Sequence, residues 1–315
     1  GKVTTRKRIP DFAWVFMLLA AALIVMGILS PGTLTGRHLM DLMRQAAPLG
    51  VAAAGQTLLL MSGNIDLSFG AQITLCNLVL STVMAAGRDP STMLPAVGLA
   101  TALGLLVGVT NGYAVAKLKI PAFVATLATG LLIQGGYLIY TRGAPSGSIV
   151  PEFRVIAEGW IGGIIPWSVV IWAAASIMLS LLVHNSKFGR QMMAVGGNPK
   201  ASHLSGLSVE RTTIGVYAVS SMCAVLAGCL ISAYIGLAST GVGEPYTLNS
   251  IASSVIGGTP FSGGEGTMAG SFGGALIMTV IQAILTGLNT GDAGKLISQG
   301  LVIITMVTIC QRRAK

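Results

Sequence analysis

The chain is a succession of continuous apolar runs separated by short polar links. Each run is about twenty residues long, the length of a membrane-spanning helix. Outer-membrane strands would instead alternate apolar and polar residues over about ten positions. The first run covers about 12–29, and a polar, partly amphipathic link follows it to Arg44. The second, about 45–62, ends in a polar break, GNIDLSFG (63–70). Further runs lie at about 70–86, 93–116 and 120–140. A longer segment, 141–165, contains Pro, Gly and an amphipathic piece, EFRVIAEGWI. Runs at about 166–183 and 213–237 flank a polar stretch, 184–212. In 238–268 the apolar piece NSIASSVIGG is too short to cross a bilayer alone, and it predicts an eighth, short or broken segment. Runs at about 267–288 and 295–311 complete the chain. The expected fold is all-α: a polytopic membrane protein of about ten transmembrane helices in a single domain over 1–315.

Composition agrees. Of 315 residues 53% are hydrophobic and 9% charged, with a mean hydropathy of +0.78, against about 25% charged in soluble domains. The net charge of +9 raises nucleic acid as a partner, but the basic residues sit in short links between apolar runs, where they orient a membrane protein. With the N-terminus inside, the inner links hold Lys2, Arg6, Lys7, Arg8, Lys117, Lys119, Lys187, Arg190, Lys200, Arg211, Arg312, Arg313 and Lys315, thirteen in all. Six fall outside: Arg37, Arg44, Arg88, Arg142, Arg154 and Lys295. That asymmetry predicts both termini and 184–212 in the cytoplasm, and it requires the eighth segment to be counted as a crossing. The basic start resembles a signal peptide, but no small-residue cleavage site follows, so it reads as a retained first span. Cys76, Cys223, Cys229 and Cys310 lie in apolar runs without a CxxC pair, and His38, His184 and His203 are scattered, so no disulfide framework or metal site is expected.

The stretch 184–212 is the most distinctive polar feature. It carries Lys187, Arg190, Lys200 and Arg211 against one acid, Glu210. A short helix is predicted over 198–206, after Gly197: Asn198 suits the N-cap, Pro199 the first helical position and Gly206 the C′ stop, with Ser205 just before it. Ala201 and Leu204 are three apart and share a face. Two readings stand: a solvated connector, or a docking helix through which a soluble motor moves the membrane part.

Asp66 is the one acid between Arg44 and Arg88. An acid at membrane depth usually serves a function, which makes Asn64, Asp66 and Ser68 candidates for a translocation path or gate. The alternative is that Asp66 sits at the cytoplasmic mouth and caps the third span with Ser68. Glycines recur at four-residue spacing, Gly104, Gly108, Gly112 and Gly266, Gly270, Gly274, and predict close helix packing, within one subunit or between two. GQTLLLMSGNIDLSFGA and NSIASSVIGGTPFSGGEGT both run an apolar piece into a Gly-Ser break and then a new span, which hints at a duplicated architecture.

No phosphate-binding loop is present: GDAGKL lacks the first glycine at the right spacing and has Leu296 where Ser or Thr is needed. No paired carboxylates or Ser–His–Asp set stands out. The chain is read as a non-enzyme, and the energy for any work must come from elsewhere.

Three stretches, in order, carry a family resemblance: NIDLSFGA (64–71), FGRQMMAVGGNPKASHLSGL (188–207) and SVIGGTPFSGGEGTMAGSFGGALI (254–277). Together with the span order they resemble the membrane permease subunits of bacterial ABC sugar importers, the ribose, xylose, galactose and arabinose group. Glu265 stands where that pattern has a neutral or basic residue, and His203 where Arg is common. The resemblance implies an inner-membrane subunit that forms the pathway for a monosaccharide or similar small polar solute. It implies a second permease subunit, identical or not, a periplasmic sugar-binding protein, and cytoplasmic ATPases that bind the ATP and Mg. The 198–206 helix would then dock in the ATPase. The competing reading is an ion-coupled secondary transporter or facilitator working alone.

Overall fold

The structure, a computed structural model, describes residues 11–29, 32, 34–87 and 89–313. Thirteen α-helices, one short 3-10 turn (Pro90–Thr92) and a two-stranded hairpin make up these residues. The helices are α1 (Asp11–Leu29), α2 (Gly36–Met61), α3 (Phe69–Gly87), α4 (Met93–Ala116), α5 (Ala122–Thr141), α6 (Pro151–Glu158) and α7 (Trp167–Asn185). They continue with α8 (Lys187–Gly197), α9 (Pro199–Leu204), α10 (Val209–Ile235), α11 (Glu244–Ile256), α12 (Met268–Gly287) and α13 (Gly291–Arg313). Strands β1 (Trp160–Ile161) and β2 (Ile165–Pro166) pair antiparallel after α6.

The chain is all-α and polytopic. Among the described residues α3, α4, α5, α7, α10 and α12 are long and apolar enough to cross a membrane by length and composition. The other expected crossings are of different kinds. The apolar stretch of α1 is shorter, Trp14–Leu29. α2 and α13 carry charged residues, and α11 is only 13 residues long.

α2 is the centre of the bundle: every residue from Ala46 to Met61 is buried. Its run GVAAAG lets large neighbours come close. A Cβ on Gly50 would lie 2.0 Å from the Trp172 indole, which itself stacks on Phe272 with centroids 3.8 Å apart. The helix begins at Gly36, earlier than the pattern predicted. Thr35 caps it, accepting from the His38 N–H, and in its charged first turns Asp41 pairs with Arg44 at 3.3 Å while Arg37 lies over the Trp160 ring.

Gly104, Gly108 and Gly112 lie along the α4 face that meets α10, where a Cβ would come within 2.2 Å of Val225, 2.6 Å of Ser221 and 2.7 Å of Ile214. The second triplet differs from expectation. Gly270 and Gly274 seat α12 on α11, with a Cβ 1.9 Å from Gly257 O and 2.0 Å from Ser253 O. Gly266 is not on that helix face. Thr267 caps α12, accepting from Gly270 N at 3.0 Å, and Gly266 precedes the cap in a conformation with φ +153° that favours glycine.

The eighth segment is broken. Gly236 (φ +77°) stops α10, and 237–243 runs without helix along α3 before α11 begins. Non-helical backbone at membrane depth must find partners inside the protein. Polar side chains of α3 supply them: Asn77 accepts from Ser239 N (2.8 Å) and donates to Leu237 O (3.2 Å), and Thr74 accepts from Gly243 N (3.0 Å). In return Thr247 of α11 accepts from Gly70 N at 3.0 Å.

Candidate functional site

Residues 62–68 connect α2 to α3 through irregular backbone, and Asp66 organises them. It is fully buried. Its Oδ1 accepts from Ser68 N (2.7 Å) and Ser68 Oγ (2.5 Å), and its Oδ2 accepts from Gln72 Nε2 (3.2 Å). Asn111 of α4 donates to Ser68 Oγ at 3.0 Å. Three more helices hold the backbone of the segment: Gln56 Nε2 donates to Asp66 O (3.2 Å), Tyr217 OH to Ile65 O (2.9 Å), and Leu67 N to Thr126 Oγ1 (3.0 Å). Asn64 is half-buried and turns back to α2, donating to Ser62 O at 3.0 Å. Asn111, Thr126 and Tyr217 lie one to two turns in from the ends of their helices, which places this node roughly 6–12 Å inside the bundle. Asp66 is buried among these helices, and with Ser68 it also caps the start of α3.

The two Gly-Ser breaks noted in the sequence meet each other. Gly264 N donates to Met61 O at 2.8 Å, and a Cβ on Gly263 would lie 3.0 Å from Gly63. The C-terminal turn of α8 presses into the same junction: a Cβ on Gly196 would sit 1.9 Å from Met61 O. The link 257–267 thus ties α11 and α12 to the end of α2 and to α8.

The polar stretch 184–212 holds two helices where one was expected. α8 is capped by Ser186, which accepts from Gly189 N at 2.9 Å, and buries Met192 and Val195. Its glycines and its basic residues disguised it as a loop. α9 then starts at Pro199 as predicted, with Asn198 Oδ1 accepting from Ala201 N at 3.0 Å. Gly206 takes φ +81° after the last turn. Ser202 faces inward, Ala201 and Ser205 are exposed, and Leu204 projects with 87% of its surface free. Gly197 has only Gly264 Cα near its Cβ position, at 3.8 Å.

A cavity of about 470 Å³ opens toward the end opposite α9, between the first half of α2, the end of α10, the start of α11 and the second half of α12. Asn249, Arg44, Gln45, Tyr234 and Tyr246 are among its walls. Nothing in the residue pattern marked it, because its polar groups come one or two from each of four helices.

A central helix, two inter-helix links that clasp each other, a capped polar helix pair at one end and a polar-walled cavity at the other suit a membrane transport subunit. The chain belongs to the family of permease components of branched-chain amino acid transport systems, which it matches over residues 38–307. It is similar to the ribose import permease protein of Bacillus subtilis (strain 168), 33% identical over 301 residues, 95% of this chain and 92% of that one. The ribose import permease protein of Escherichia coli (strain K12) is 31% identical over 94% of this chain and 92% of its own length. The galactose/methyl galactoside import permease protein of Haemophilus influenzae (strain ATCC 51907 / DSM 11121 / KW20 / Rd) is 30% identical over 91% of each chain. No solved structure matches. These relationships favour an importer permease over the stand-alone ion-coupled transporter.

Proposed function

We propose that this chain forms the translocation pathway of an ATP-driven importer for a monosaccharide or similar small polar solute. It works as a pair of permease subunits in the bacterial inner membrane. Cytoplasmic ABC ATPases bind ATP and Mg and hydrolyse the nucleotide, and a periplasmic binding protein delivers the solute. The solute class is taken from what the similar permeases are named for, ribose and galactose. The observation that carries the coupling role is α9, a rigid, capped turn whose Leu204 stands 87% exposed among Lys200, His203 and Ser205. A leucine held out in water at the tip of a polar loop suits a partner's groove better than a connector.

The test is Leu204→Asp in the complex with the ATPase. The side chain touches little of its own subunit, so insertion and yield should match wild type. Association with the ATPase, or stimulation of its turnover by the loaded binding protein, should be lost. Ala201→Pro should act alike, because it removes the N–H that Asn198 caps. Normal ATPase binding and uptake by Leu204→Asp would make α9 a plain connector.

A further inference from the structure

The outward face formed by α3, α5 and α11 carries an acid where a surface turned to lipid should have none. Glu244 opens α11, and the start of that helix is pinned to the first turns of α3. Gly243 N donates to Thr74 Oγ1 at 3.0 Å, and Thr247 accepts from Gly70 N at 3.0 Å. Thr74 lies thirteen residues before Gly87, the outer end of α3, which is roughly 20 Å. On α5, Gly130 sits beside Ser68, and Gln134 and Tyr137, one and two turns further out, line the same crevice as Glu244 and Thr74. Glu244 thus stands at the depth of the spanning helices. Its side chain is nevertheless exposed, it forms no ion pair among the described residues, and no Lys, Arg or His lines the crevice. Leu127, Leu131 and Leu248, its neighbours on this face, are exposed as well.

A bare carboxylate among leucines at this depth is costly unless water or a polar partner meets it. Its place in the first turn of α11 suits the helix dipole, but that effect is small beside the transfer of a charge to hydrocarbon. The face must therefore be covered, and by something that leaves Glu244 wet. The crevice holds about 130 Å³, less than the about 300 Å³ at which small-molecule sites begin. It is half a site, open on the side that the bundle leaves bare. α5 offers the means of completing it. A Cβ on Gly135 or Gly136 would meet nothing within 4 Å, so the α5 backbone is bare there and another helix can approach closely. A second copy, facing the first, brings a second half-crevice and a second carboxylate to the same gap.

We propose that the α3–α5–α11 face is turned to a second copy of this chain, and that Glu244 and Gln134 of both copies line the solute path between them and contact the solute. The proposal rests on the importer reading above. The carboxylate accepts two hydroxyl hydrogens side by side, and the amide both donates and accepts. The test uses proteoliposomes containing the chain with its ATPase and binding protein, and radiolabelled D-ribose and D-galactose. Glu244→Ala, at an exposed position where folding is not at stake, should lower uptake about tenfold, the effect of losing a hydrogen bond to a charged group. Gln134→Leu should lower it in the same direction. Co-purification with the ATPase is the control for assembly. In a background without native cysteines, a membrane-impermeant methanethiosulfonate should modify Glu244→Cys, and the sugar that wild type carries should slow that reaction. A flexible bis-methanethiosulfonate should link two copies through Glu244→Cys and not through Ile177→Cys, which is exposed on α7. Wild-type uptake by Glu244→Ala, an unreactive Glu244→Cys, a reaction indifferent to sugar, or linkage through Ile177→Cys instead would overturn the proposal. Absence of ATP-dependent uptake of both sugars by wild type would sink the importer reading, and linkage through Glu244→Cys would still decide where the two copies meet.

Discussion

Asp66 shows how one side chain can hold irregular backbone inside a membrane bundle. Its two oxygens receive a backbone N–H, a hydroxyl and an amide, and the hydroxyl in turn receives Asn111 from α4. The Asp66 carboxylate ties the 62–68 segment to α3 through Ser68 and Gln72, while α2, α4, α5 and α10 hold its backbone and Ser68. Asp66→Asn keeps one acceptor for Ser68, and a turned Gln72, whose Oε1 is buried and unpartnered, can receive the new amide. Asp66→Ala instead leaves the Ser68 N–H and the Ser68 hydroxyl without their acceptor, at about 1–3 kcal/mol each, while the Gln72 amide keeps its bond to Ser68 Oγ at 2.9 Å. Thermal unfolding of the purified subunit in detergent should place Asp66→Asn near wild type and Asp66→Ala well below it. Equal stability of Asp66→Ala and wild type would remove the structural role. The sequence made Asp66 conspicuous, because a lone acid between apolar runs is easy to see. Its partners were not legible: Gln72, Asn111, Thr126 and Tyr217 are ordinary polar residues until the fold brings them together.

At the scale of elements, α8 shows the complementary limit. A reader of the sequence singles out Gly197, Asn198 and Pro199, because capping chemistry is local, and α9 begins where those residues place it. The neighbour that matters for packing is Gly196. Its contacts, Met61 O, Gly264 N and Gly263, come from residues more than sixty positions away, and no local pattern announces them. Adjacent glycines therefore predict opposite outcomes. Gly196→Ala drives a methyl into the Met61 carbonyl at 1.9 Å, and backbone cannot yield as a side chain can. It should loosen the hold of α8 on the α2 end, so that ATP turnover continues while solute uptake falls. Gly197→Ala meets only Gly264 Cα at 3.8 Å and should transport normally. The comparison is read as solute moved per ATP hydrolysed in the reconstituted complex. Equal ratios for the two variants would show that the junction carries no coupling.

At the scale of the molecule, the order of the helices assigns each link to an end. α1 starts beside the end of α7 and the start of α12, where Phe16, Ser180, Met268 and Phe272 share a pocket. The α2–α3 break, the end of α8 and the α11–α12 link meet at that same end. At the other end Ser148 N donates to Ser81 O, and Ile149 N to Gly236 O, so the 141–165 segment lies beside the ends of α3 and α10. The broken segment, 237–243 followed by α11, returns the chain from one end of the bundle to the other, as the expected eighth crossing would. This puts the start of α1 and the end of α13 on the α9 side. We propose that this side is the cytoplasm, because the sequence then assigns it thirteen of the nineteen Lys and Arg residues, as the positive-inside rule requires. Lys200 on α9 and Ser146 in the opposite segment are both exposed, so each can report on its own side. In a background without native cysteines, an impermeant thiol reagent added to intact cells should label Ser146→Cys, and Lys200→Cys should label only after the membrane is opened. Ser202 would serve poorly, because it is 5% exposed. Labelling of both positions from outside would mean that 237–256 does not cross, and the charge argument for the cytoplasmic α9 would fall with it.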